Sequence, residues 1–187
     1  KWLSGLKDFF APLDPKTYTF DPKIVYDHYA NRFVVVTLEA MRVGGNLDPA
    51  NESRLLLAVS KDDAPKTATD ADWYYYAIDA KTVFNTSLGL RDGFADYPGF
   101  EVDEEAVYIT ANMFGFSPGY YFGVNLWIVD KGMGTGGFYD GGMGSHGVHN
   151  PYAGGGVRTT TMPTLIYGDG GVGGFGSDLG TFLVDDP

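Results

Sequence analysis

An aspartate and a proline open a run of β-formers twice in this chain. Each run reaches a second aspartate, turns, and resumes as β-formers. The first copy is FDPKIVYDHYANRFVVV, residues 20–36, and the second is ADYPGFEVDEEAVYIT, residues 95–110. Asp21 and Asp96 stand 75 residues apart, and Asp27 and Asp103 stand 76 apart, the agreement expected of a true internal repeat. A shorter third run, MPTLIYGDG from Met162 and then GTFLV from Gly180, repeats the opening without the full hairpin. A repeated strand–turn–strand unit restricts the fold to an all-β array in which each sheet is buried against its neighbour.

The residues between these markers fit that architecture. Aromatic residues make up 16% of the chain, which favours strands, and 27 glycines call for tight turns and close backbone approaches. Arg54–Asp62 and Asp72–Asp79 read as two further strands after the first hairpin, with Met41–Ser53 as an exposed loop rich in Gly, Asn and Pro. Four consecutive antiparallel strands make a propeller blade. The expectation is therefore an all-β, partial β-propeller of two to three four-stranded blades. Residues 21–80 form one blade, 95–131 a second, and 159–187 an incomplete third. A glycine-rich loop covers 132–158, and residues 1–20 form a packing segment. In that segment Trp2, Leu3, Leu6, Phe9 and Phe10 recur at helical spacing, a short helix or plug ended by Pro12 and Pro15. Closure needs four to eight blades, so the chain reads as a fragment whose ring is completed by further blades or further copies.

A net charge of −11 disfavours nucleic acid and anionic lipid as partners. There is no cysteine, which excludes disulfide and thiolate chemistry, and no apolar run approaches the ~20 residues that cross a bilayer as a helix. No signal-peptide pattern is present, so an export signal would lie outside this sequence.

The strings DPKIVYDHYANRFVVV, LLLAVSKDDAP, WYYYAID, ADYPGFEVDEEAVYITANMF and NLWIVDKG resemble uncharacterised bacterial exported β-propeller proteins with a sialidase/BNR-like blade pattern. The resemblance spans about residues 2–184. It implies an extracellular or cell-surface location and, for most such proteins, no assigned reaction. The S-x-D-x-G-x-x-W box of true sialidases is absent, and Arg32, Arg42, Arg54, Arg91 and Arg158 form no cluster in the sequence.

Candidate chemistry rests on a few side chains. Asp21 and Asp96 beside their prolines read first as turn-forming residues. At the mouth of a funnel they could instead bind Ca²⁺ through oxygen ligands or, with Glu101, act as an acid/base pair on a glycoside. Asp27 and Asp103 read as turn caps, with Asp103 a minor Ca²⁺ candidate. His146 and His149 could share a metal if further ligands converge. Trp73, Tyr75 and Tyr97 are candidates for stacking a sugar, although alternate residues of a strand must face the core. No P-loop, G-x-S-x-G or H-E-x-x-H motif is present. The function expected is a non-catalytic binding or scaffolding module for polysaccharide or protein. The alternatives are a glycan hydrolase working through funnel carboxylates and a calcium-stabilised structural protein.

Overall fold

The computed structural model describes residues 3–16, 18–43, 46–47, 52–87, 89–116, 119–151, 160–165 and 181–185. The protein is all-β and antiparallel. Strands β1 (Thr19–Asp27) and β2 (Arg32–Ala40) form the first hairpin, and a short ladder pairs β3 (Arg42–Val43) with β4 (Asn46–Leu47). The strands β5 (Ser53–Ser60) and β6 (Trp73–Asp79) complete a four-stranded meander, sheet 1, in the order β1-β2-β5-β6. Sheet 2 is a five-stranded meander of β7 (Thr82–Thr86), β8 (Gly89–Val102), β9 (Ala106–Gly115), β10 (Tyr121–Asp130) and β11 (Ser145–His149). A final hairpin joins β12 (Thr161–Leu165) to β13 (Thr181–Asp185).

The two hairpins of the repeat share one irregularity. In both, the strand bulges at the proline: β1 slips against β2 between Phe20 and Lys23, and β8 slips against β9 between Asp96 and Gly99. Proline cannot donate to a ladder, so it is tolerated where a bulge takes one residue out of the pairing. The residue before each proline is left-handed, Asp21 at φ 50° and Tyr97 at φ 53°. The structural equivalent of Asp21 is therefore Tyr97 rather than Asp96, and Pro22 matches Pro98. Each hairpin then turns on an aspartate. Asp27 Oδ1 accepts the backbone N–H groups of Tyr29 (3.0 Å) and Ala30 (3.1 Å). Asp103 Oδ1 accepts those of Glu105 and Ala106, both at 3.0 Å.

Period-2 alternation stacks these units in layers. Val34, Val36 and Leu38 of β2 and Leu55, Leu57 and Val59 of β5 share one core with Val107, Ile109 and Ala111 of β9 and Trp127 and Val129 of β10. The intervening Val35, Leu56 and Ala58 face the other way, against Phe9, Phe10 and Trp73. Phe9 and Phe10 belong to a single helical turn, α1 (Leu6–Phe9), and the 3-10 turn at Ala11–Leu13 that follows it. The predicted helix is thus one turn long, and Leu3 is fully exposed. On the far face of sheet 2, Thr110 Oγ1 donates to the Thr161 carbonyl (2.5 Å) and Asn112 Nδ2 to Thr160 Oγ1 (2.8 Å). A Cβ on Gly99 would lie 2.7 Å from both Met162 Sδ and Pro163 Cδ, so the absent side chain is what lets β12 approach. The order of layers is N-terminal segment, sheet 1, sheet 2, hairpin.

An ionic cluster joins sheets 1 and 2 at their turn end. Lys131, 3% exposed, reaches across from the end of β10 to Asp27 Oδ2 at 2.6 Å. Tyr139 Oη donates to the same oxygen at 2.8 Å, and Lys131 Nζ also donates to the Asp103 carbonyl. Burial, and then the Asp27 charge, push the Tyr139 hydroxyl pKa far upward, so it stays a donor.

Three expectations are revised. The interval before the second unit is a strand pair, β7 with the first half of β8, extending sheet 2 to five strands. Within the expected loop 132–158, Phe138 and Tyr139 are core residues and Ser145–His149 is strand β11. A Cβ on Gly141 or Gly144 would meet the rings of Tyr74 and Tyr76 at 2.5 and 2.4 Å. These glycines let the segment lie flat over sheet 1. The Met41–Ser53 loop carries the β3–β4 ladder. Tyr152, Arg158 and the GDGGVGGFGSD run lie outside the described residues.

Candidate functional site

The two bulges lie on neighbouring strands, since β8 sits beside β1 as well as β12. They bring Asp21, Lys23, Asp96 and Tyr97 to one edge of the layered sheets. Lys23 Nζ lies 5.8 Å from the centre of the Tyr97 ring, which is half exposed. A bulky residue held at positive φ is a genuine backbone outlier, costing about 1–3 kcal/mol. Partial burial raises the Asp96 carboxyl pKa above its usual 3.8; the Tyr97 N–H donating to Oδ1 at 2.9 Å works against this, and the Asp21 charge adds to it.

The sign of that shift fixes a pH prediction. An acid with a raised folded pKa contributes stability that is complete below its unfolded value and is lost as pH rises through the folded one. Asp96→Asn, which keeps an oxygen for the Tyr97 N–H, should melt at or above the wild-type temperature at neutral pH. The advantage should vanish as pH falls below 3.8. A variant several degrees less stable at pH 7 in differential scanning calorimetry would show instead that the carboxylate holds a cation or another buried partner.

The other predicted residues do not converge on this edge. Glu101 Oε1 accepts the N–H of its own neighbour Val102 at 3.0 Å. Asp103 is buried as a turn cap and also accepts from the Tyr108 hydroxyl. Trp73 is 3% exposed, edge-on to Phe9 with centroids 5.0 Å apart, and its indole N–H donates to the Thr67 carbonyl at 2.8 Å. Tyr75 packs against Phe9 and Phe10, its hydroxyl buried and its pKa pushed up to about 12 chiefly by burial. Neither ring is the open platform a sugar needs; Tyr97 is the member of that trio with an exposed face.

His146 and His149 are three apart on β11, so successive alternation sends their side chains to opposite faces. His146 Nδ1 is hydrogen-bonded to the Tyr76 hydroxyl at 2.7 Å, and partial burial lowers its pKa. Among the described residues no group of three or more His, Asp or Glu side chains is placed to hold a metal ion. That includes Asp21 with Asp96, for which a Ca²⁺ role would need ligands beyond the pair.

Sequence reasoning missed an open cavity of about 470 Å³ at the end of sheet 2 remote from the ionic cluster. It is lined by Phe84, Asn85 and Thr86 of β7, Arg91 of β8, and Tyr120 and Tyr121 at the start of β10. Tyr120 is 56% exposed. Arg91 donates to the Leu90 carbonyl and has no carboxylate within ion-pair distance among the described residues. The signal was present as paired tyrosines in GYYFG, but only the β7–β8 hairpin, absent from the sequence reading, places an arginine and an amide opposite them.

Compared with known proteins, the chain matches no family model, no curated protein and no solved structure.

Proposed function

We propose that this chain is a non-catalytic, glycan-binding module, built as part of a β-propeller array in an exported bacterial protein. The observation that carries the binding reading is the cavity at Arg91, Tyr120 and Tyr121. A sugar ring offers apolar C–H faces and a rim of hydroxyls. A cavity with aromatic walls and a few hydrogen-bonding groups, here Asn85, Thr86 and Arg91, matches both. The propeller reading draws on the four-stranded meander of sheet 1, the face-to-face layers and the neighbouring strands β1, β8 and β12. A protein ligand is the other partner expected of such a module, and a calcium-stabilised structural role would show as a melting temperature lowered by chelator.

Affinity electrophoresis through gels containing soluble polysaccharides tests the reading. Wild-type protein should be retarded by at least one of them, and Tyr120→Ala and Arg91→Ala should each weaken retention about tenfold, or 1.4 kcal/mol. Both residues are exposed, so their loss leaves the fold intact. The competing reading is a hydrolase using Asp21 and Asp96. Those carboxylates share an edge, but Asp96 is engaged by a backbone amide and Glu101 is directed to its own neighbour. Glycoside hydrolysis that disappears in Asp21→Ala or Asp96→Ala would replace the binding proposal with that one.

A further inference from the structure

The cavity at the end of sheet 2 is charged on one side only. Arg91 is the single ionisable cation among its lining residues, and no carboxylate lines it. The β7–β8 register sets Arg91 directly across from Phe84, so the two side chains share a face. Alternation places Gly89 and Gly93, the same-face neighbours of Arg91 on β8, on that face as well. A Cβ on Gly93 would lie 2.8 Å from Phe84 Cε2 and 3.2 Å from Phe122 Cδ2, and one on Gly89 would meet only Arg91 itself, at 3.9 Å. The Phe84 and Phe122 rings, 5.1 Å apart, therefore settle onto the strand as an apolar floor. Beside that floor the guanidinium is flanked by glycines alone on its own strand.

Cations are scarce in this chain, with 13 Lys and Arg against 24 Asp and Glu. Even so, no ion pair among the described residues includes Arg91. Asp92, the nearest carboxylate in sequence, projects to the opposite face and lies 3.8 Å from Lys81. A guanidinium carries five N–H donors, and the bond made here is from Nη1 to the Leu90 carbonyl at 2.8 Å. Water satisfies a lone surface arginine equally well. What distinguishes Arg91 is its place in the wall of an aromatic cavity that holds no counter-ion of its own.

We propose that the sugar bound in this cavity carries a carboxylate, as a uronic acid unit of an acidic polysaccharide. The inference rests on the glycan-binding reading of the same cavity and adds the chemical class of the ligand. The planar fork of an arginine matches the two oxygens of a carboxylate. A sulfate ester presents a third oxygen, for which the cavity offers no second cation. Tyr120, 56% exposed, supplies a ring face for the sugar, and Asn85 and Thr86 supply partners for its hydroxyls. The net charge of −11 opposes an anionic polymer at long range. That repulsion is screened over about 8 Å at physiological salt, whereas the guanidinium–carboxylate contact is made within the cavity.

Titration calorimetry at physiological salt, with short oligomers of galacturonate, glucuronate and mannuronate beside their methyl esters, isolates the charge. At least one acid form should bind about tenfold more tightly than its ester, as expected for hydrogen bonds to a charged group. Arg91→Gln should bring the two forms to the same affinity, and Tyr120→Ala should weaken both. Equal binding of acid and ester in every pair, or a preference that survives Arg91→Gln, would overturn the inference and leave the glycan-binding reading standing. Retention by neutral polysaccharides with no acid oligomer bound would do the same. Failure of every saccharide, acidic or neutral, would remove both.

Discussion

Lys131→Met is expected to lower the unfolding free energy by about 3–5 kcal/mol, the range for removing one partner of a buried ion pair. Both Lys131 and Asp27 are nearly or wholly excluded from solvent, and the cation also holds the Asp103 carbonyl. Without it, Asp27 keeps Tyr139 and two backbone amides as donors but loses its ion-pair partner, while the nearby Arg32 is held by the Tyr139 carbonyl. Urea unfolding reads the loss as a lower midpoint at constant slope. The pair itself contributes far less than its rupture costs. Asp27→Asn with Lys131→Met should therefore recover most of the deficit, since the substituted amide oxygen still accepts from the Tyr29 and Ala30 N–H groups. A single-variant loss under about 1 kcal/mol would mean that the pair behaves as an exposed one.

Phe10→Ala is expected to cost about 3–5 kcal/mol, the range for truncating a buried phenylalanine. Phe10 is wholly buried, and its ring meets Phe9 edge-on at 4.8 Å and Tyr75 at 6.1 Å. The segment that carries it is only one helical turn and a 3-10 turn, too short to be helical on its own. Its order comes from the sheet it covers. The same substitution should shift tryptophan emission to the red, because Trp73 lies directly beneath Phe9. Loss of stability without that shift would place the damage elsewhere in sheet 1.

The hairpins were legible because their signals are local. Period-2 runs of Val, Ile and Phe define the strands, and aspartates at equivalent places cap both turns through their own neighbours' amides. The bulges were not: Asp21 and Asp96 beside their prolines read as turns opening each strand, and only the ladder register places the prolines inside the strands, with Tyr97 in the place of Asp21. Strand β11, SHGVH, was not legible. Its sequence has one β-branched residue, and it is a strand because Leu126–Asp130 of β10 offers it a ladder. Lys131 was passed over for a related reason. Lysine is seldom buried, and nothing adjacent in sequence announces a carboxylate more than a hundred residues upstream. Trp73 and Tyr75 read as a possible platform because strand alternation gives two faces; the structure covers theirs with Phe9 and Phe10, and the face of Tyr74 and Tyr76 with Phe138 and Gly141–Gly144.

The boundary between sheet 2 and the β12–β13 hairpin combines threonine and asparagine hydrogen bonds with the close approach of Met162 and Pro163 to Gly99, whereas sheets 1 and 2 share a larger core of aliphatic and aromatic side chains. Water competes well for the first kind of contact and poorly for the second. Pulled from its two termini, such a chain yields at the hydroxyl-lined joint first and keeps its paired sheets as a single mechanical block. Cohesion is therefore graded along the polypeptide, which allows the carboxyl-terminal layer to be exchanged for another without disturbing the rest.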